Sequence, residues 1–204
     1  MKRRGVGHTV DETIITVFGS SRPQVGDADY QEALALGTAL AERGFAVCSG
    51  GYGGVMEAVS RGAKEAGGKT YGVTAEFFGR TANQWVDVEV RKKTWEERLF
   101  ELVRRGDGFV ACKGGTGTLV ELAVVWEMMN KSVMSARPFV VLTGFWQPIL
   151  DRVREVEQGP RPATGVRLWG EANGNLVHSA LTVEDAAGYL AEKVKNALGR
   201  KAKK

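Results

Sequence analysis

Twice in this chain an apolar run breaks into a glycine-rich loop and resumes as a helical pattern, and that recurrence restricts the folds open to it. Phe109-Val110-Ala111 leads into Cys112-Lys113-Gly114-Gly115-Thr116-Gly117-Thr118, after which Leu119, Leu122, Val125 and Trp126 fall on one helical face. Val47-Cys48-Ser49-Gly50-Gly51-Tyr52-Gly53-Gly54-Val55-Met56-Glu57 follows the same plan 64 residues earlier, with Cys, three Gly and Glu coinciding with Cys112 to Glu121. A strand that turns through glycines into a helix brings backbone N–H groups close to whatever lies beyond it. The helix terminus behind them carries about half a positive charge. An anion, and phosphate first, is the expected occupant of such a loop.

The rest of the chain repeats the alternation. Strands are expected at 13–18, 45–48, 70–74, 108–112 and 138–142, with a half-exposed strand at 85–90 and a last short one at 176–178. Helices are expected at 29–43, 55–66, 94–105, 118–130, from 148 to near 158, and from 182 to about 198. The Thr94-x-x-Glu97 pattern reads as a capping box opening its helix. This order defines a single-domain α/β protein, a doubly wound parallel sheet with helices on both faces. The domain is expected over 13–198, with a flexible extension at 1–12, a break at Gly159-Pro160-Arg161-Pro162 and a basic tail at 199–204. In a doubly wound sheet both glycine loops lie at the carboxyl ends of strands, where ligands bind. They are expected to build one pocket from Gly50, Gly51 and the 114–118 loop, with Glu57 and Glu121 near it.

Several classes of function are set aside by what the chain lacks. Hydrophobic residues make up 43% and charged residues 25% of its 204 positions, with no apolar run near the ~18 residues a membrane helix needs. The basic start, Lys2-Arg3-Arg4, runs into polar residues, unlike a secretory signal. Two cysteines, Cys48 and Cys112, make no disulfide framework, are expected as buried strand ends, and fit a cytoplasmic setting. His8 and His178 give no metal-ligand spacing, so no metal is expected. Seven basic residues in the terminal segments outweigh the net charge of +4, so the body is mildly acidic and nucleic acid is not an expected partner. No Gly-x-Gly-x-x-Gly follows the first strand, no Gly-Lys-Ser/Thr ends a loop, and no Gly-x-Ser-x-Gly is present. Dinucleotide dehydrogenases, P-loop NTPases and serine hydrolases are thereby unsupported. On the residues alone, Glu121 has two readings: a carboxylate for chemistry, or the end of a Thr118-x-x-Glu121 capping box.

Gly114-Gly115-Thr116-Gly117-Thr118-x-x-Glu121 resembles the Pro-Gly-Gly-x-Gly-Thr-x-x-Glu motif of the LOG (Lonely Guy) family, also labelled lysine decarboxylase-like. Val17-Phe18-Gly19-Ser20-Ser21, the run from Gly50 to Val59, and Glu97-Arg98 leading to Asp107-Gly108-Phe109 agree with the family in order and spacing. The resemblance implies a Rossmann-like homodimer without organic cofactor. It also implies a phosphoribohydrolase that cleaves a nucleoside 5′-monophosphate to free base and ribose 5-phosphate, cytokinin nucleotides being the favoured substrates in plants and many bacteria. It assigns catalysis to Arg98 and Glu121, phosphate binding to Gly114, Gly115, Thr116, Gly117 and Thr118, and a nucleotide-side loop to Gly19, Ser20 and Ser21. Glu57, in the Met-Glu-Ala form of the second motif, is the choice for an auxiliary carboxylate, and Trp126 for a dimer contact.

The chain departs from the family at three positions. The motif's leading proline is Lys113, the lysine that usually follows the catalytic arginine is Leu99, and a second glutamate is Val120. Lys113 either supplies a positive charge beside the phosphate or points to solvent. Two functions follow: hydrolysis of nucleoside monophosphates, or non-catalytic binding of a nucleotide or phosphorylated cofactor in the manner of molybdenum cofactor carriers, which share this fold. A true decarboxylase would need a Schiff-base lysine and a pyridoxal phosphate pocket, and no residue marks either.

Overall fold

A computed structural model describes residues 12–157 and 175–201, with side chains to residue 196. Among them, seven strands form one wholly parallel sheet: β1 (Ile14–Phe18), β2 (Ala46–Ser49), β3 (Thr70–Ala75), β4 (Val88–Lys92), β5 (Gly108–Ala111), β6 (Phe139–Leu142) and β7 (His178–Ala180). Their order across the sheet is β4-β3-β2-β1-β5-β6-β7. Six helices connect them: α1 (Ala28–Glu42), α2 (Val55–Glu65), α3 (Trp95–Arg105), α4 (Thr116–Asn130), α5 (Gln147–Glu157) and α6 (Val183–Lys201). The central strands are short runs of β-branched and aromatic side chains buried on both faces, as a covered parallel sheet requires. Thr16, the polar residue in β1, is fully buried and gives its hydroxyl proton to the Leu102 carbonyl at 3.1 Å.

Each face of the sheet has its own apolar cluster. Tyr30, Leu36 and Leu40 of α1, Val59 of α2 and Leu190 of α6 close one face. Leu102 of α3, Leu122 and Trp126 of α4 and Leu150 of α5 close the other over Phe18, Phe109 and Phe139. Each such side chain removed from water contributes about 1.5–3 kcal/mol. Trp126 is only 9% exposed within this second cluster, so the tryptophan expected at a dimer contact is a core residue.

The capping box opens α3 as expected. Thr94 Oγ1 accepts from the Glu97 N–H at 3.2 Å, and the Glu97 carboxylate reaches back one residue further, to the Lys93 N–H at 3.0 Å. The phase set by this cap turns Arg98, Leu99, Leu102 and Val103 toward the sheet.

Other boundaries shift for local reasons. The expected strand at 85–90 begins only at Val88, because residues 83–87 are tied elsewhere. Asn83 Oδ1 holds the Trp85 N–H, and Asp87 binds Thr70 through its carboxylate and its own N–H. The last strand is 178–180, not 176–178, and the final helix continues to Lys201, into the segment expected as a basic tail. The expected N-terminal extension to residue 11, the break at 159–162 and residues 202–204 lie outside the described residues. No helix among the described residues is long and apolar enough to cross a membrane, and no group of three or more His, Cys, Asp or Glu there could hold a metal.

Candidate active site

In the order β4-β3-β2-β1-β5-β6-β7 the chain winds one way from β1 and the other way from β5. The loops leaving these two strands therefore diverge at their carboxyl ends and leave a crevice, the place where open α/β sheets take ligands. A cavity of about 1060 Å³ lies there. Gly19, Ser20 and Ser21, after β1, and Gly114 to Thr118, after β5, line it together with Arg98 and Glu121. The two loops are joined by the Ser20 N–H, which donates to the Lys113 carbonyl at 3.2 Å, while the Ser20 carbonyl accepts from the Val55 N–H at the start of α2 at 2.8 Å.

The second loop ends on a helix terminus aimed into this cavity. Helix α4 starts at Thr116 behind an extended Gly115, two residues earlier than its apolar pattern predicts, and no side chain caps it. The N–H groups of its first turn have no carbonyl one turn back to bond, which leaves donors and a positive dipole end facing the cleft. A Cβ on Gly115 or Gly117 would meet nothing within 4 Å, so their surfaces are open to a ligand.

The early start of α4 also removes the capping-box reading of Glu121. It is the sixth residue of the helix, too deep to reach the cap, and its Oε1 instead lies 3.8 Å from Arg98 Nη1. Burial pushes its carboxyl up to about 7, against the pull of the Arg98 charge. Arg98 is no helix-surface arginine either, being 6% exposed. Its Nε donates to the Val73 carbonyl at 2.8 Å and its Nη2 to the Gly50 carbonyl at 3.2 Å. The faces of Tyr52 and Phe78 lie 5.5 and 5.8 Å from the guanidinium carbon. The arginine is thus locked from behind by backbone carbonyls, with Nη1 left toward Glu121.

Three expected site residues take other positions. Glu57 does not line the cavity; Tyr30 donates its hydroxyl to it at 3.3 Å. The reason is helical phase. Helix α2 begins at Val55, so Glu57 is its third residue, whereas the matching Glu121 is sixth in α4 and projects from a different side. Gly50 and Gly51 do not line the cavity; Gly51 packs on Gly72, and Gly50 makes room for Arg98. A Cβ at Gly50 would sit 1.8 Å from Arg98 Nη2. Gly50→Ala is therefore expected to cost about 2 kcal/mol of stability through displaced packing and to lower ligand affinity with Arg98 itself intact. Denaturant unfolding beside ligand titration checks both.

Other lining residues were not among the expected site residues. Tyr52, Phe78, Trp95 and Phe145 form aromatic walls, Leu99 is a buried apolar contact, and Asp29 approaches from α1. An aromatic between glycines, Gly51-Tyr52-Gly53, is the one sequence signal that pointed here, since a loop tyrosine has no sheet core to fill. Cys48 and Cys112 are buried thiols whose pKa values burial pushes up, to about 12 in Cys48, so neither is a ready nucleophile.

A parallel sheet with an uncapped helix terminus, a buried arginine and a part-buried glutamate beside a cleft at its switch point defines a Rossmann-like α/β protein. The chain belongs to the SLOG cluster4 family, whose model matches residues 12–158. An uncharacterised protein of Archaeoglobus fulgidus is 32% identical over 130 residues, 64% of this chain and 83% of that one. The cytokinin riboside 5′-monophosphate phosphoribohydrolase of Mycobacterium marinum is 36% identical over 115 residues, 52% of this chain and 62% of the relative. A probable enzyme of the same name from rice is 36% identical over 127 residues, 57% of this chain and 49% of the relative, so the chain spans only about half to three-fifths of these two. Among solved structures, the molybdenum cofactor carrier protein of Chlamydomonas reinhardtii superposes with a TM-score of 0.68 at 25% identity, over 90% of this chain and 99% of the carrier.

Proposed function

We propose that the cleft hydrolyses the N-glycosidic bond of nucleoside 5′-monophosphates, giving free base and ribose 5-phosphate. The observation that carries this reading is Arg98, buried and anchored on two carbonyls, standing 3.8 Å from Glu121 beside the open terminus of α4. The phosphate would sit on the first-turn N–H groups of Thr116, Gly117 and Thr118. Glu121, one and a half turns along the same helix, would then face the ribose. As the ribosyl C–N bond lengthens, positive charge grows on the sugar ring, and an ionised Glu121 stabilises it as carboxylates do in glycoside hydrolysis. Arg98 favours that ionised form. The aromatic walls, Tyr52, Phe78 and Trp95, supply flat apolar surface suited to a purine. The names of the mycobacterial and rice relatives support the same reaction, with cytokinin nucleotides among the substrates.

The test is incubation of the full chain with a panel of purine and N6-substituted purine nucleoside monophosphates, with free base separated by chromatography. Release of base from at least one member is expected, and release from none would remove the enzymatic reading. A second reading has its own support. The cavity stands at the upper end of the roughly 300–1,000 Å³ usual for small-molecule pockets, and a cofactor carrier shares the fold. A carrier of a phosphorylated cofactor would show saturable binding with no base released.

A further inference from the structure

Lys113 stands where the LOG-type motif has proline, and its side chain is engaged across the cleft. Its ammonium lies 3.0 Å from Asp29 Oδ2 and 3.3 Å from Oδ1. Asp29 sits in the first turn of α1 and Asp27 is the residue that precedes it as N-cap. Both line the same cavity as Glu121 and the 114–118 loop. Glu32, three residues further along α1 and outside the cavity lining, feels the pair: burial pushes its carboxyl up, Asp29 pushes it further, and Lys113 pulls it back. One wall of a cleft that elsewhere suits an anion thus carries two acids, Asp27 and Asp29, and Lys113 is paired with the second. Each uncompensated carboxylate facing a phosphate dianion would cost roughly tenfold in affinity.

The backbone and side chain of Lys113 are free to act separately. Its carbonyl is fixed by the Ser20 N–H at 3.2 Å, immediately before Gly114. The side chain is 51% exposed, and a bridge so exposed contributes little to folding, so exchanging its partner is cheap.

We propose that Lys113 is the specificity-determining residue of this site: it shields an incoming phosphate from Asp29 and trades that carboxylate for the phosphate as the ligand seats. Asp29 is then a built-in competitor that sets how tightly phosphorylated ribose is held. The proposal rests on the reading above in placing a phosphate on α4, and it requires no hydrolysis.

Calorimetric titration of ribose 5-phosphate, and separately of adenosine, into the full chain and its variants tests it. Lys113→Ala is expected to weaken ribose 5-phosphate binding about tenfold or more, and Asp29→Asn to strengthen it roughly three- to tenfold, with adenosine moving less than about twofold in either. Opposite signs for two partners of one salt bridge are not what a structural role would produce. Lys113→Gln, which removes the charge but keeps a polar side chain only one atom shorter, should behave as Lys113→Ala and covers a failure of the alanine variant to fold. If the wild type binds ribose 5-phosphate and these variants leave its affinity unchanged or shift it in the same direction, the role of Lys113 is overturned while the phosphate seat on α4 stands. If the wild type binds neither ribose 5-phosphate nor any nucleoside monophosphate, the seat falls and this proposal with it.

Discussion

Glu121→Gln is expected to abolish release of free base, by about 10³-fold or more, while leaving the fold intact. Glutamine keeps the shape and hydrogen-bonding reach of the side chain and removes only the negative charge that would face the developing cation. The same carboxyl makes a second, independent readout. Its folded-state value of about 7 lies above its ordinary 4.5, so the folded chain holds that proton more tightly than the unfolded one. Folding stability from this group is therefore full below about pH 4.5 and declines as pH rises to 7, a loss on the order of 1–3 kcal/mol. The glutamine variant has no such loss, so its melting temperature relative to wild type should rise between pH 5 and 8. In wild type, kcat/KM should climb with pH through about 7 and then level, because the ionised carboxylate is the active form. Retention of base release by the glutamine variant would remove Glu121 from the chemistry, whatever the melting curves show.

Arg98→Ala carries the second large effect, and it acts on fold and chemistry together. The change removes the guanidinium donor from the Val73 and Gly50 carbonyls and leaves the part-buried Glu121 without its cation. A loss of about 2–4 kcal/mol in denaturant unfolding follows, as for other buried charges stripped of a partner. The surviving activity should show its pH limb moved upward, since the Arg98 charge is what lowers the Glu121 carboxyl against burial. Arg98→Lys separates the two effects. It restores the charge but not the planar fork that reaches two carbonyls at once. The limb should return toward the wild-type position while stability stays reduced. An unmoved limb in Arg98→Ala would show that the pair is not electrostatically coupled.

How far the site could be read from the sequence differs from residue to residue. The strands and the switch-point loops were readable because covered parallel strands are apolar runs and the turns between them need glycine. Arg98 was readable only by its resemblance to a family motif. Its local run, Glu96-Glu97-Arg98, is that of a solvated helix surface, and only the phase set by the Thr94 cap turns it inward. Glu57 was misassigned because the two glycine loops match in sequence while their helices start at different points. A three-residue difference in start rotates an acid to another side of its helix. The contact of Lys113 with Asp29 spans 84 positions and follows no pattern. The aromatic walls come from Tyr52, Phe78, Trp95 and Phe145, four segments whose meeting depends on the tertiary fold alone.

The placement of β5 beside β1, the central strand of the sheet, bears on how the protein is made. Strand β4 is an edge strand, and α3, which carries Arg98, is the connection that returns the chain from that edge to the middle. Glu121 arrives only afterwards, on α4. A chain emerging from the ribosome therefore displays its arginine well before the carboxylate that completes the pair, and a product truncated ahead of α4 holds a seat for neither phosphate nor ribose. On the proposed chemistry, unfinished chains cannot consume nucleotides: reactivity is switched on by the last step of assembling the sheet's centre.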